Sequence, residues 1–175
     1  MATISFDRLL LKTAFCCMTS DGKIDNKEVT LIKKLCDKSP IFKDLNFKKE
    51  INDLVERLNA NGKDFINYYF SLLKDSDLTP DEELKLIEFA VETIKSDELI
   101  EYAEIKFFKA IRSNLKLSNK QILEKLDDIE YWLEDDIKSE SNFDKLLSQY
   151  FEVAKLPQFE SITVNVTEIF KNENL

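Results

Sequence analysis

The chain has 175 residues and a formal charge of −9, an acidity that argues against nucleic acid or anionic lipid as its main partner. With no His and only two Gly, it can write neither Ser-His-Asp, Cys-His or His-ligated metal chemistry nor a glycine-rich phosphate loop. Hydrophobic residues make up 43%, enough to bury the core of one domain, while so few Gly and only three Pro exclude a hairpin-rich all-β protein.

At the amino terminus, residues 1–8 lack the basic and apolar regions of a signal peptide. No apolar run approaches the roughly 18 residues of a membrane span, so a cytoplasmic protein without membrane insertion is expected. Phe6, Leu9, Leu10, Thr13, Ala14, Cys17 and Met18 follow i, i+3, i+4, i+7 spacing and predict an amphipathic helix over 6–18. Thr19-Ser20-Asp21-Gly22 breaks it. A second helix is predicted from about 25 to 37, with Val29, Ile32, Leu35 and Cys36 inward. Cys16, Cys17 and Cys36 form neither a CxxC pair nor an even disulfide framework, and read as reduced core thiols.

Helices of about 46–60 and 63–74 come next, separated at Asn61-Gly62, and the aromatic run at 65–70 reads as core. Thr79-Pro80-Asp81-Glu82 marks a helix start, with Thr79 as N-cap, Pro80 at the first helical position and acids in the first turn. Further helices are predicted at 80–95, 101–114, 118–138 and 142–155. Tyr131-Trp132 falls in the third of these, with one ring buried and an acidic face in solvent. Residues 156–175 hold Pro157 and an alternating Ile162-Thr163-Val164-Asn165-Val166, a strand-like pattern with no ladder partner, and read as a tail. The expected fold is all-α, a compact bundle of seven to eight helices over 1–155.

A shift of 76 residues lays the second half on the first. Leu10, Leu11 and Ala14 fall on Leu86, Ile87 and Ala90; Ser20-Asp21 falls on Ser96-Asp97, and Ile24 on Ile100. Asp25 meets Glu101, Glu28 meets Glu104, Ile32 meets Phe108 and Leu35 meets Ile111. With the shift drifting by one, Ile51, Asp53, Leu54 and Leu58 meet Leu126, Asp128, Ile129 and Leu133. Any two amphipathic helices share apolar coincidences; the polar set S-D-x-x-I-[DE]-x-x-E at the same helix junction is the stronger signal. The chain reads as two pseudo-repeats, about 1–75 and 76–155.

The junction Ser20-Asp21-Gly22-Lys23-Ile24-Asp25-Asn26-Lys27-Glu28 admits three readings. Asp25 as N-cap and Glu28 at the third helical position make a capping box, worth about 0.5–2 kcal/mol without any ligand. The same residues copy the second half of an EF-hand loop, but Cys17 and Thr19 stand where its first acids belong and Glu98 stands at the second copy's Gly position. The third reading is a nonstandard oxygen-ligand metal site or acidic docking surface built from Asp21, Asp25, Glu28, Asp97, Glu101 and Glu104. Carboxylates crowded together repel unless a cation or partner lysines compensate them, and Ca²⁺, Mg²⁺ or Mn²⁺ are the apt guests. The presence of only three arginines, Arg8, Arg57 and Arg112, weakens any phosphate-recognition reading.

The segment from Ala14 through Asp21-Gly22-Lys23-Ile24-Asp25 to Glu28 resembles the TerB (tellurite-resistance) family pattern, a helix ending in A-x-x-D-G-x-[IV]-x-x-x-E. Ser96-Asp97-Glu98-Leu99-Ile100-Glu101-Tyr102-Ala103-Glu104 is similar to a second copy, departing at Glu98 where the family often has Gly. The resemblance spans roughly residues 6 to 140. It implies a helical bundle with an acidic, metal-binding surface, tied to tellurite resistance and stress systems and sometimes fused to J-domains. Carried over, it points to Asp21, Glu28, Asp97 and Glu104, with Asp25 and Glu101 as neighbours. The function expected is a non-enzymatic module that binds a divalent cation or docks a protein partner, with the oligomeric state left open. The alternatives are a metal-dependent hydrolase whose carboxylate-bound cation activates water, and a scaffold whose acids serve only as caps. No nucleophile–base pair or phosphate loop supports turnover.

Overall fold

Leu9, Leu10, Leu11 and every residue from Thr13 to Ser20 are buried, so the first helix presents no wide polar face to solvent. The computed structural model describes residues 4–22, 24, 26–96 and 100–134, with Asp21 described by its backbone alone. Among these residues the chain forms eight α-helices and no strand. They are α1 (Phe6–Met18), α2 (Asn26–Asp37), α3 (Phe47–Ala60), α4 (Gly62–Asp75), α5 (Pro80–Lys95), α6 (Tyr102–Ser113), α7 (Asn119–Leu123) and α8 (Glu130–Leu133). The expectation of an all-α bundle of seven to eight helices is met. The strand-like pattern at 162–166 and the helix expected at 142–155 lie outside the described residues.

Helix α1 is not the amphipathic helix that the spacing predicts. Leu11, Phe15 and Cys16, on its supposed outer side, are as buried as the inward set. A helix whose polar strip beyond its first residues narrows to Arg8 and Lys12 must be covered on its other sides. Here α5 packs along it most extensively, and α2, α3, α4 and α6 close the remaining sides. Fully burying each large apolar side chain contributes about 1.5–3 kcal/mol, so this central helix anchors the core.

Local chemistry sets the helix ends. Thr79 Oγ1 accepts from the Glu82 N–H at 3.3 Å while Glu82 Oε2 accepts from the Thr79 N–H at 2.9 Å, a capping box with Pro80 at the first helical position. The Thr79 backbone and hydroxyl donors hold the Glu82 carboxyl below its ordinary value. Asn61 is extended and ends α3, and its side chain accepts from the Asp64 N–H at 3.2 Å to begin α4. A single residue therefore separates the two helices, and Gly62 is already helical. In α4, Phe65, Ile66, Tyr69 and Phe70 are buried while Tyr68 is exposed, as the periodicity of the run requires.

The shift of 76 carries Asn26–Asp37 onto Tyr102–Ser113, the whole of α2 onto the whole of α6. Past that point the halves diverge. Residues 47–60 are one helix, whereas the continuous helix expected at 118–138 is broken into α7, a short 3-10 helix at Asp127–Ile129, and α8. The reason is visible in the side chains. Asn119 Nδ2 donates to the Leu133 carbonyl at 3.2 Å, yet a straight helix would hold these residues about 21 Å apart. An ion pair from Lys95 to Asp128 ties the bend to the end of α5. The fold-back still buries Ile129, Trp132 and Leu133, and leaves Tyr131 exposed.

Two buried polar contacts cross the bundle. The Thr13 hydroxyl donates to the Leu9 carbonyl at 2.9 Å and meets the Tyr69 hydroxyl at 3.0 Å, linking α1 to α4. Burial pushes the Tyr69 phenol up. Glu83 on α5 accepts from the Lys116 and Leu117 N–H groups at 2.8 and 2.9 Å, fixing the α6–α7 connection. Replacing Thr13 by Val should strand the Tyr69 hydroxyl and lower stability by about 1–3 kcal/mol, measured by chemical denaturation. Tyr69→Phe should cost less, because Thr13 keeps its Leu9 carbonyl; an equal or larger loss in Tyr69→Phe would contradict the pairing.

Candidate functional site

The first junction is built by closing α1 tightly. Thr19 Oγ1 donates to the carbonyls of Phe15 and Cys16 at 3.0 and 3.3 Å, and the chain continues into a short 3-10 helix at Thr19–Asp21. Gly22 follows with φ 91°, its N–H donating to the Thr19 carbonyl at 2.9 Å. A left-handed residue here costs a side-chain-bearing amino acid strain that glycine avoids. Ile24, at 4% exposure, pins the junction to the core before α2 begins. Glu28, in the first turn of α2, is half-buried.

The second junction closes α5 by related means. Ser96 Oγ donates to the Thr93 carbonyl at 2.6 Å. Ile100, the counterpart of Ile24, is 36% exposed, so this junction sits less deeply in the core. Glu101 is the exposed N-cap of α6, and its N–H donates to Glu104 Oε2 at 2.7 Å. This is the half of a capping box supplied by the third helical residue, and it realises the capping reading for Glu104.

Glu104 does more than cap. It is 4% exposed, and the Thr19–Asp21 segment of the first junction packs against its helix, α6. The Cys17 thiol, at the end of α1, is pushed up by burial, then by the neighbouring Cys16 thiol and the Glu104 carboxylate. A glutamate of α6 therefore lies close to the end of α1, from which the first junction springs. Of the six sequence-derived site residues, Glu28, Glu101 and Glu104 are placed. Asp25 and Asp97, and the side chain of Asp21, lie outside the described residues. Among the described residues no three His, Cys, Asp or Glu side chains gather at metal-binding separation.

The three cysteines are buried and free, as their spacing predicts. Burial raises all three thiols, Cys36 to about 12, so none is a thiolate at neutral pH. Sequence reasoning missed Glu50 and Glu83, two buried carboxylates outside the repeat motif. Their only signal is an acid at an inward position of its helix.

Two measurements follow. A thiol-labelling reagent at pH 8 should leave all three cysteines unmodified in the native state and label them once the chain is unfolded; rapid native labelling would contradict their burial. Glu104→Ala should destabilise by about 1 kcal/mol or more through loss of the cap, whereas Glu104→Gln keeps an acceptor for the Glu101 N–H and should stay closer to the parent in thermal denaturation.

No helix among the described residues is long and apolar enough to cross a membrane. No family model, no curated protein and no solved structure matches the chain.

Proposed function

We propose that this chain is a TerB-like, non-enzymatic binding module of the cytoplasm, which takes a hard divalent cation at its acidic helix junctions in a stress response. The observation that carries this reading is the packing of the Thr19–Asp21 segment against α6, with buried Glu104 close to Cys17. That contact brings a carboxylate of the second copy to the first junction. Asp21, Asp25 and Glu28 stand in one junction motif, and Asp97, Glu101 and Glu104 in the other. A concentration of like charge is relieved by a cation, and carboxylate oxygens suit Ca²⁺, Mg²⁺ or Mn²⁺. Glu104 spends one oxygen on a backbone N–H, and a carboxylate has lone pairs for more than one donor or metal.

Docking of a protein partner on the same surface is the second reading. Tyr102, next to Glu101, is 55% exposed and lies under the Lys106 ammonium, which gives the acidic patch an aromatic rim. Calorimetric titration with Ca²⁺, Mg²⁺ and Mn²⁺ separates the two. A binding heat is expected in the parent and should vanish in the Asp21→Asn, Asp97→Asn double variant. Silence with all three cations removes the metal reading.

A further inference from the structure

A second charged cluster lies on α1 away from the junctions, and its sign is opposite. Between Leu9 and Ser20 the one residue that is not buried is Lys12, which is half-buried. Arg8 stands one turn earlier on the same face and pairs through Nε with Glu50 Oε1 at 3.0 Å. Glu50, 8% exposed, and Arg57 lie seven residues apart on α3, about two turns along one face. The Arg57 guanidinium sits 5.3 Å from the centre of the Tyr68 ring on α4. Burial, against the pull of Glu50 and with the help of Arg57 and Arg8, holds the Lys12 amine below the ordinary lysine value.

The charges do not balance. Arg8, Lys12 and Arg57 face one buried carboxylate, Glu50, and that carboxylate is engaged by Arg8. Among the described residues neither Lys12 nor Arg57 has an ion-pair partner. Lys12 is the half-buried one of the two, and a half-buried cation without an ion-pair partner costs free energy, so stability alone does not account for it. Two of the chain's three arginines gather at this one place in a protein of net charge −9. The Tyr68 ring restrains the Arg57 guanidinium, and a guanidinium fork matches two oxygens of a tetrahedral anion.

We infer that Arg8, Lys12 and Arg57 form a binding site for a doubly charged tetrahedral oxyanion of the phosphate class, where α1, α3 and α4 meet. The excess of two positive charges equals the charge of a phosphate monoester, which is about −1.5 to −2 at neutral pH. Lys12 supplies a point charge at the base of the site, and Arg57 supplies paired donors from its exposed side. The inference is independent of the cation reading, since it uses none of the junction carboxylates. Inorganic phosphate and a phosphate ester on a larger molecule share this chemistry.

The test is titration of inorganic phosphate into the full chain at low ionic strength, followed by calorimetry and by phosphorus NMR line width. The parent should bind with Kd below about 10 mM, and Lys12→Met and Arg57→Gln should each weaken binding by about tenfold or more. Arg57 is exposed, so its variant should fold even if Lys12→Met does not. Lys116→Gln, in the exposed ion pair with Asp77, should bind like the parent. Phenyl phosphate binding as tightly as the inorganic ion places the site on esters, and weaker binding places it on the free ion; both support the site. No binding at about 10 mM in the parent, or unchanged binding in Arg57→Gln, overturns it.

Discussion

From Leu9 to Ser20 the first helix and its closing turn meet water at one side chain, that of Lys12, and α2 to α6 are packed around that helix. A helix with no wide polar face has to be enclosed, and five helices enclose this one. Three of these neighbours, α3, α4 and α6, also carry polar groups to defined heights along it. Helix α6 carries Glu104 to the end of α1, and α3 carries Glu50 and Arg57 to the Lys12 face. The Thr13–Tyr69 hydroxyl pair stands between them inside the core and ties α4 to the same helix.

This arrangement separates two kinds of charge on a short axis. Lys12 and the Thr19–Asp21 segment are about 10–14 Å apart by helical rise, near or just beyond the screening length at physiological salt. At the far end capping and burial coincide, because the residue that satisfies the Glu101 N–H is the one buried close to Cys17. Capping and cation binding are compatible uses of one carboxylate. At the basic end Arg57 also complements the last turn of α3, whereas half-buried Lys12 has only Glu50 as an acidic neighbour, and that acid is engaged by Arg8.

Much of the fold is legible in the residues. Thr79, Pro80 and Glu82 fix the start of α5 from local chemistry alone, and Asn61 marks the break between α3 and α4. The shift of 76 residues lays α2 on α6 because the polar junction motif and the apolar spacing agree. Apolar spacing placed α1 at its observed bounds but did not reveal the break at 118–138. Leu126, Ile129 and Leu133 are apolar at helical intervals, yet long-range contacts from Lys95 and Asn119 bend the segment. Leu11, Phe15 and Cys16 look like the outer side of an amphipathic helix until five neighbours are present. The Arg8, Lys12, Glu50 and Arg57 cluster draws on two helices about forty residues apart in sequence, and overall composition hid it, since three arginines in an acidic chain look like too few.

The claim on which the functional account rests is that the two acidic junctions serve one place. Mn²⁺ broadens the amide NMR signals of nuclei close to it, which makes a substoichiometric Mn²⁺ titration of the isotope-labelled chain the most direct measurement. The expected result is that signals from Thr19, Ser20 and Gly22 broaden together with those from Tyr102 to Glu104, at one common Mn²⁺ concentration. Broadening of one group without the other, or of neither, would contradict it.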